Sequence, residues 1–196
     1  MGHPVSKLPL ALADLHLSLS RNERIACSLR PLPGPEWTPG RATDLIIGAG
    51  FTPTGTAIVK HEEIFLDMVR IHSLPDTVAT GMRLLIVGLN PSPYSADHSI
   101  GYARPGNRFW PAALAAGIVS LDRDPRHALH HHGLGMTDLV RRTTKRADEL
   151  ERAEFVSGFE RVDRLAAWLK PQAVCFVGLG GWRAVVDRKA SSGVQE

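Results

Sequence analysis

The amino-acid sequence predicts an α/β protein, a three-layer α/β/α sandwich around a mostly parallel sheet. Two short apolar runs, LLIVG at 84–88 and AVCFVG at 173–178, have the length and composition of buried strands. Between them, residues 151–169 carry apolar side chains at helical spacing, and Pro171 follows. Strands that alternate with helices along the chain are typical of a doubly wound parallel sheet.

The chain before residue 74 gives weaker signals, and we predict that residues 1–73 form an N-terminal extension that is partly irregular. The segment PLPGPEWTPG at 31–40 is rich in turn-forming residues. The segment DLIIGAGFTPTG at 44–55 predicts a short strand followed by a glycine turn. The segment HEEIFLDMVRIH at 61–72 has apolar residues at helical spacing, so we predict an amphipathic helix there.

Composition restricts the class of protein. The 196 residues are 43% hydrophobic and 22% charged, which are globular values. No apolar run approaches the roughly 20 residues of a membrane span, and the N-terminus lacks a signal-peptide cleavage site, so we expect a cytoplasmic or nucleoid-associated protein. A net charge of +3 is compatible with a nucleic-acid partner but does not establish one.

The two cysteines, Cys27 and Cys175, do not indicate a disulfide framework or an iron–sulfur cluster, which takes about four thiolates. Cys175 lies in the second apolar run, and we expect it to be a buried, hydrophobic thiol. Four histidines at 127–132 raise a metal hypothesis. No carboxylate motif accompanies them, so we predict a solvated histidine run and neither metal nor cofactor.

The first strand leads into a long loop that offers candidate ligand-binding groups. These are the amide of Asn90, the hydroxyls of Ser92 and Ser95 and the ring of Tyr102, with Asp97 as the only carboxylate. In open α/β sheets, ligands bind at the carboxyl ends of strands. This set of groups suits a neutral planar ligand and one water better than a phosphate or a metal. After the loop, we predict a helix at 107–116, with Asn107 as its cap.

The segments GLNPSPYSA and GYARPGNRFWPAALAAG in this region resemble the first motif of the mismatch-specific uracil/thymine DNA glycosylases, in the uracil-DNA glycosylase superfamily. The usual form of that motif is GINPG, a short spacer and F-A-x-P-G-N-R-F-W. GLGMTDLVRRTTKRADEL at 133–150 resembles the next block of the family. The resemblance covers about residues 74–188 and implies a uracil-DNA glycosylase-like domain at 74–196.

The resemblance also implies roles for individual residues. Asn90 takes the place of the residue that holds the attacking water, and Tyr102 that of a phenylalanine that stacks on the base. Backbone groups near Leu89 and Tyr102 would bind the base carbonyls, Ser95 would line the pocket, and Ser92 replaces a glycine close to the ligand. An amide is not a general base, so we expect slow catalysis that favours uracil or a modified pyrimidine opposite guanine.

A cluster of cations follows the second block. Arg141, Arg142, Lys145 and Arg146 fall within six positions, and such residues contact DNA phosphates. From composition alone, an ordinary solvated loop is an equal interpretation. With the resemblance, we predict that Arg141, Arg142 and Lys145 bind DNA.

The sequence thus predicts a monomeric, monofunctional glycosylase of base-excision repair that hydrolyses the N-glycosidic bond of uracil, or of thymine or a modified pyrimidine, mispaired with guanine in double-stranded DNA and leaves an abasic site. A second family motif, typically Asn-Pro-Ser-Gly, has no match, so we expect a form that lacks its C-terminal edge. A non-catalytic DNA- or nucleobase-binding relative is therefore an alternative. A nucleotide-binding protein is a third interpretation that rests only on GAG at 48–50, because the full G-x-G-x-x-G pattern is absent.

Overall fold

The computed structural model describes residues 5–30, 37–61 and 63–195. Before residue 74, these residues form two helices and an antiparallel sheet of four strands in which β4 pairs with the other three. After a 3-10 turn at Val5–Lys7, the elements are α1 (Leu8–Ser18), β1 (Arg24–Leu29), α2 (Pro39–Gly48), β2 (Phe51–Pro53), β3 (Ile58–Lys60) and β4 (Glu63–Arg70). This part of the chain is more regular than predicted. Residues 31–36 of the predicted turn-rich segment lie outside the described residues.

The helix predicted at 61–72 is wrong, since this segment contains the central strand β4. Its buried side chains are Ile64, Leu66 and Met68, which alternate with more exposed ones. Alternation with a period of two is the pattern of a strand with one covered face. Ile64 and Met68 are four residues apart, a spacing that fits both a helix and a strand, which explains the wrong prediction.

The strand predicted at the start of 44–55 is also wrong, because residues up to Gly48 belong to α2. The Thr38 hydroxyl accepts a hydrogen bond from the Arg41 N–H and caps this helix. Gly50, with φ at +86°, turns the chain into β2, and a Cβ on it would lie 2.8 Å from Nε2 of His16. A turn and close packing therefore account for this glycine without a bound nucleotide.

The second part of the chain contains a parallel sheet between helices, with the strand order β6-β5-β7. The prediction of an α/β fold is confirmed. The elements are β5 (Leu84–Gly88), α3 (Pro93–His98), α4 (Phe109–Ala115), α5 (Pro125–His132), β6 (Leu134–Asp138), a 3-10 turn at Ala147–Glu149, α6 (Arg152–Leu169), β7 (Val174–Phe176) and α7 (Leu179–Val185).

Strand β5 contributes side chains to two hydrophobic clusters, one on each face of the parallel sheet. Leu85 and Val87 pack in a cluster that includes residues of α6 and of the N-terminal helices and sheet. Ile86 points to the opposite face and joins a cluster built from α4, α5 and β6 around the fully buried Trp110. The N-terminal part therefore shares a core with the parallel sheet. The division of the chain into an N-terminal extension at 1–73 and a domain at 74–196 stays a prediction.

Strand β7 pairs with β5 in parallel, as predicted, but it is not buried. Val174 is 40% exposed and Cys175 is exposed, whereas Cys27 in β1 is buried. Among the described residues no strand or bridge lies beyond β7, whereas the other edge strand, β6, pairs with Thr77 through Met136. None of the helices in the described residues is long and apolar enough to cross a membrane.

Candidate active site

A pocket of about 300 Å³ lies at the carboxyl ends of β5 and β6. Its walls come from the loop after β5, from the end of β6 and from the segment before β5. The parallel register sets Gly88 beside Asp138, so the two strands end at the same level. The five residues predicted to touch the substrate all line this pocket: Leu89, Asn90, Ser92, Ser95 and Tyr102.

The hydrogen bonds of Asn90 fix the orientation of its side-chain amide. Its Nδ2 donates to the carbonyl of Arg142 at 3.0 Å and to Oγ1 of Thr144 at 2.8 Å. The Thr144 hydroxyl donates its own proton to the carbonyl of Arg146 at 2.8 Å, so it must accept from Asn90. Because these partners and the Pro91 carbonyl, at 3.3 Å, are all acceptors, the nitrogen must face them. The oxygen, Oδ1, bonds to none of the described residues and can accept a hydrogen bond from a water or a ligand.

Tyr102 forms one wall of the pocket. Its ring stacks on Phe109 with 4.3 Å between the centroids, and Trp110 donates through Nε1 to the carbonyl of Gly101 at 2.8 Å and anchors the loop. The backbone of Tyr102 has φ at +58°, a conformation that non-glycine residues adopt mainly where the surroundings impose it. Its buried hydroxyl has no partner among the described residues, and burial raises the pKa of Tyr102.

The other predicted pocket residues supply loop structure and donors. The Ser92 hydroxyl accepts from the Ser95 N–H at 3.2 Å and caps α3, which explains a side chain at this position. The Leu89 carbonyl accepts from the Val140 N–H at 2.9 Å. The N–H groups of Leu89 and Tyr102 have no acceptor among the described residues, so both remain available to a ligand carbonyl.

Asp138, which the sequence analysis did not single out, is the one carboxylate among the described residues that line the pocket. It ends β6, lines the pocket and is 8% exposed. A Cβ on Gly88 would lie 2.1 Å from Oδ1 of Asp138 and 2.9 Å from the Tyr102 hydroxyl, so only glycine leaves room for both. Burial raises the pKa of Asp138 to about 6, although the nearby Arg141 opposes the shift. The available signal in the sequence was its position at the end of the strand-like segment LGMTD, since ligands bind at the carboxyl ends of parallel strands.

Arg141, which was predicted to contact a DNA phosphate, is buried at the pocket wall, and its guanidinium is held by partners inside the protein. Its Nη1 donates to Asp76 Oδ1 at 2.8 Å, and its Nη2 donates to the carbonyls of Gly48 and Leu74. Arg161 of α6 is also buried and donates to Asp76 Oδ2 at 2.9 Å. The two guanidinium groups share one carboxylate in the interior, which satisfies charges that would otherwise be costly to bury.

Residues 75–194 match the Uracil DNA glycosylase superfamily. The chain belongs to the uracil DNA glycosylase superfamily. Members of this superfamily are DNA glycosylases, hydrolases of base-excision repair, which indicates glycosylase activity on uracil in DNA. The match includes the whole loop after β5, the end of β6 and α6. The pocket therefore lies within the superfamily domain.

The remaining predicted DNA contacts lie on the surface of this glycosylase domain. Arg142 is half-exposed, and its guanidinium makes two hydrogen bonds to Glu154, at 2.8 and 2.9 Å. Lys145 is exposed and has no partner among the described residues. Lys145 is therefore free to contact a phosphate, whereas Arg142 would have to leave Glu154.

The histidines at 127–132 of this superfamily member contact one another and Ser120, and they do not form a metal site. His127 and His131 stack with 4.2 Å between ring centroids, and Ser120 bonds to Nε2 of His127 and of His132. Within residues 5–30, 37–61 and 63–195, no group of three or more His, Cys, Asp or Glu side chains is placed to hold an ion. Asp97, the carboxylate noted in the loop, bonds to His72 at 2.8 Å and does not line the pocket.

Proposed function

We propose that the protein is a monofunctional DNA glycosylase that hydrolyses the N-glycosidic bond of uracil, or of thymine or a modified pyrimidine, mispaired with guanine, and leaves an abasic site. The observation that carries this proposal is the fixed amide of Asn90, whose oxygen is left free beside a pocket for one planar base. The partner is double-stranded DNA in the cytoplasm or nucleoid. We propose that the protein acts as a monomer.

The proposed substrate is a nucleotide rotated out of the duplex, because a base inside the stack is out of reach. The free face of Tyr102 stacks on the base. The N–H groups of Leu89 and Tyr102 donate to the base carbonyls. Donors at these positions stabilise the negative charge that develops on the departing base.

The proposed nucleophile is a water bound to Oδ1 of Asn90. The sugar acquires oxocarbenium character as the bond breaks, and a water held near its anomeric carbon can then add to it. Asn90 orients this water but does not remove its proton, because an amide has no basic lone pair near neutral pH. No lysine lines the described part of the pocket, which supports hydrolysis by water over attack by an amine.

The preference for mispaired bases follows from the weakness of this catalytic group. Without a general base, the rate depends on how easily the base leaves and how easily it is extruded. A mismatched base costs less to extrude than a Watson–Crick pair. We therefore propose faster excision of uracil from G·U than from A·U.

The test is single-turnover excision from duplexes with one G·U or one A·U pair, followed by alkaline cleavage of the abasic product. We expect cleavage of G·U by the wild type, and loss of cleavage in Asn90→Ala with unchanged affinity for the duplex, since Asn90 contacts no phosphate in this mechanism. Asp97→Ala, in the same loop but outside the pocket lining, is the matched control and should retain activity.

Two results would contradict the proposal in different ways. A wild-type protein that binds the G·U duplex without cleaving it would be the non-catalytic relative. Equal loss of binding and excision in Asn90→Ala would show that Asn90 does not act by holding the water.

A further inference from the structure

Two arginines line the described part of the pocket, and only one of them is free to bind a ligand. Arg141 is buried, and its guanidinium is held by Asp76 and by backbone carbonyls. Arg104 is exposed, and its guanidinium bonds to none of the described residues. The carboxylate in the pocket lining, Asp138, has Arg141 and Arg161 as its neighbouring cations. Arg104 is therefore a cation without a counter-charge at the edge of the pocket.

Arg104 begins a tight turn whose conformation is fixed by its sequence. The Arg104 carbonyl accepts a hydrogen bond from the Asn107 N–H at 3.0 Å. Between them, Pro105 precedes Gly106, whose φ of +83° is typical of the third residue of a type II turn. A Cβ on Gly106 would meet no atom within 4 Å, so the tip of the turn projects into open space. Asn107 Oδ1 accepts from the Phe109 N–H at 2.9 Å, which attaches the turn to the start of α4.

The place of Arg104 determines which part of a flipped nucleotide it can contact. In the proposed function, the base lies inside the pocket against Tyr102. The sugar and the two phosphates beside it stay joined to the DNA strand outside. An exposed cation at the pocket edge therefore meets the backbone of the strand and not the base. A guanidinium group suits this partner, because it can make two parallel hydrogen bonds to phosphate oxygens.

We propose, on the basis of the function proposed above, that Arg104 binds one of the two phosphates that flank the flipped nucleotide. A nucleotide outside the duplex has lost the stacking and pairing that positioned it. A phosphate fixed at the pocket edge replaces part of this restraint and holds the sugar near the water on Asn90. The contact is specific to the flipped state, because only then do the flanking phosphates lie at the pocket.

The test combines a charge removed from the protein with a charge removed from the DNA. The duplex contains 2′-fluoro-2′-deoxyuridine, a uracil nucleotide that resists hydrolysis, opposite guanine, and a neutral methylphosphonate replaces one flanking phosphate at a time. For the wild type, we expect one of the two replacements to weaken binding by about 10- to 100-fold, as loss of a hydrogen bond to a charged group does. Arg104→Gln should weaken binding of the unmodified duplex by a similar factor and should not respond to that replacement.

Three controls separate this contact from a general effect of charge. Arg108→Gln removes an exposed arginine from the same loop that does not line the pocket, so it should keep the wild-type response to the methylphosphonate. Arg104→Lys keeps the charge but cannot make two parallel bonds, so it should recover only part of the affinity. A duplex with a G·C pair in place of the analogue offers no flipped nucleotide, and Arg104→Gln should bind it as tightly as the wild type does.

A methylphosphonate response in Arg104→Gln equal to that of the wild type would overturn the inference. An equal loss of affinity for the G·C duplex would also overturn it, because Arg104 would then be a general DNA contact. Excision of natural uracil from a G·U duplex is measured alongside. If binding follows the expected pattern but the wild type does not excise uracil, the inference stands and the proposed glycosylase function fails. If the wild type excises uracil but neither methylphosphonate weakens its binding, the glycosylase function stands and the inference is wrong.

Discussion

Thr144 is a buried threonine whose hydroxyl determines which end of the Asn90 amide faces the pocket. It accepts from Nδ2 of Asn90 and donates to the carbonyl of Arg146, both at 2.8 Å. It does not line the pocket, so it acts on the substrate only through Asn90. Thr144 is therefore a positioning residue in the proposed mechanism.

Thr144→Val should slow single-turnover excision from a G·U duplex by about 10- to 100-fold, because small misplacements of a catalytic group have effects of this order. Valine has the shape of threonine but cannot accept from Asn90. Duplex affinity should not change, since no DNA contact is removed. Thr144→Ser keeps the hydroxyl and should restore the rate. Equal rates for the valine variant and the wild type would show that the carbonyls of Arg142 and Pro91 are enough to orient the amide.

Single residues were predicted from sequence where a local motif identifies them and missed where the fold brings them together. Asn90 and Tyr102 lie in one loop, and their spacing was visible in the chain. Asp138 is 48 positions after Asn90, and only the register of two parallel strands brings it into the same pocket. Arg141 looked like a surface cation because its partner, Asp76, is 65 positions away.

Secondary-structure elements were predicted well where the spacing of the apolar residues fits a helix or a strand but not both. Helix α6 is long enough for its pattern to identify it, and it ends at Leu169, as expected. Strand β4 was predicted as a helix because its apolar residues also occur four apart. Strand β4 is covered on one face because it pairs with β1, β2 and β3. The eight residues of β4 do not by themselves show these pairings.

Helix α6 approaches the loop after β6 more closely than a side chain allows at Gly158. A Cβ at this position would lie 2.2 Å from the backbone carbonyl oxygen of Leu139. Leu139 directly follows Asp138, so this contact also sets the position of the strand end at the pocket. A backbone atom cannot move aside as the tip of a flexible side chain can.

Gly158→Ala should destabilise the protein, although the same change inside a helix normally stabilises by about 1 kcal/mol. We expect a loss of about 1 to 3 kcal/mol, the usual cost of overpacking a tight contact, measured by chemical denaturation. Gly180→Ala in α7 is the matched control, because a Cβ there meets no atom within 4 Å. It should leave stability unchanged or raise it slightly. If both variants behave alike, the close approach of α6 does not limit this position.

At the scale of the whole molecule, one buried charge cluster joins both parts of the chain behind the pocket. Asp76 accepts from Arg141, from Arg161 and, at 2.7 Å, from the Thr137 hydroxyl. Its backbone N–H donates to the carbonyl of Gly48, at the end of α2. The cluster thus connects the N-terminal part, β6 and α6, and it lies next to Asp138. Sequence analysis could not predict it, because these residues are far apart in the chain.

Asp76→Asn should destabilise the whole protein by about 3 to 5 kcal/mol, because it keeps the shape of the side chain but leaves two buried guanidinium groups without their shared carboxylate. Chemical denaturation followed by tryptophan fluorescence and by circular dichroism measures the loss, and both signals should shift together because the two parts share a core. Asp148→Asn, which removes the exposed partner of Arg146, is the control and should leave the midpoint unchanged. A stable Asp76→Asn protein would show that the cluster does not hold the two parts of the chain together.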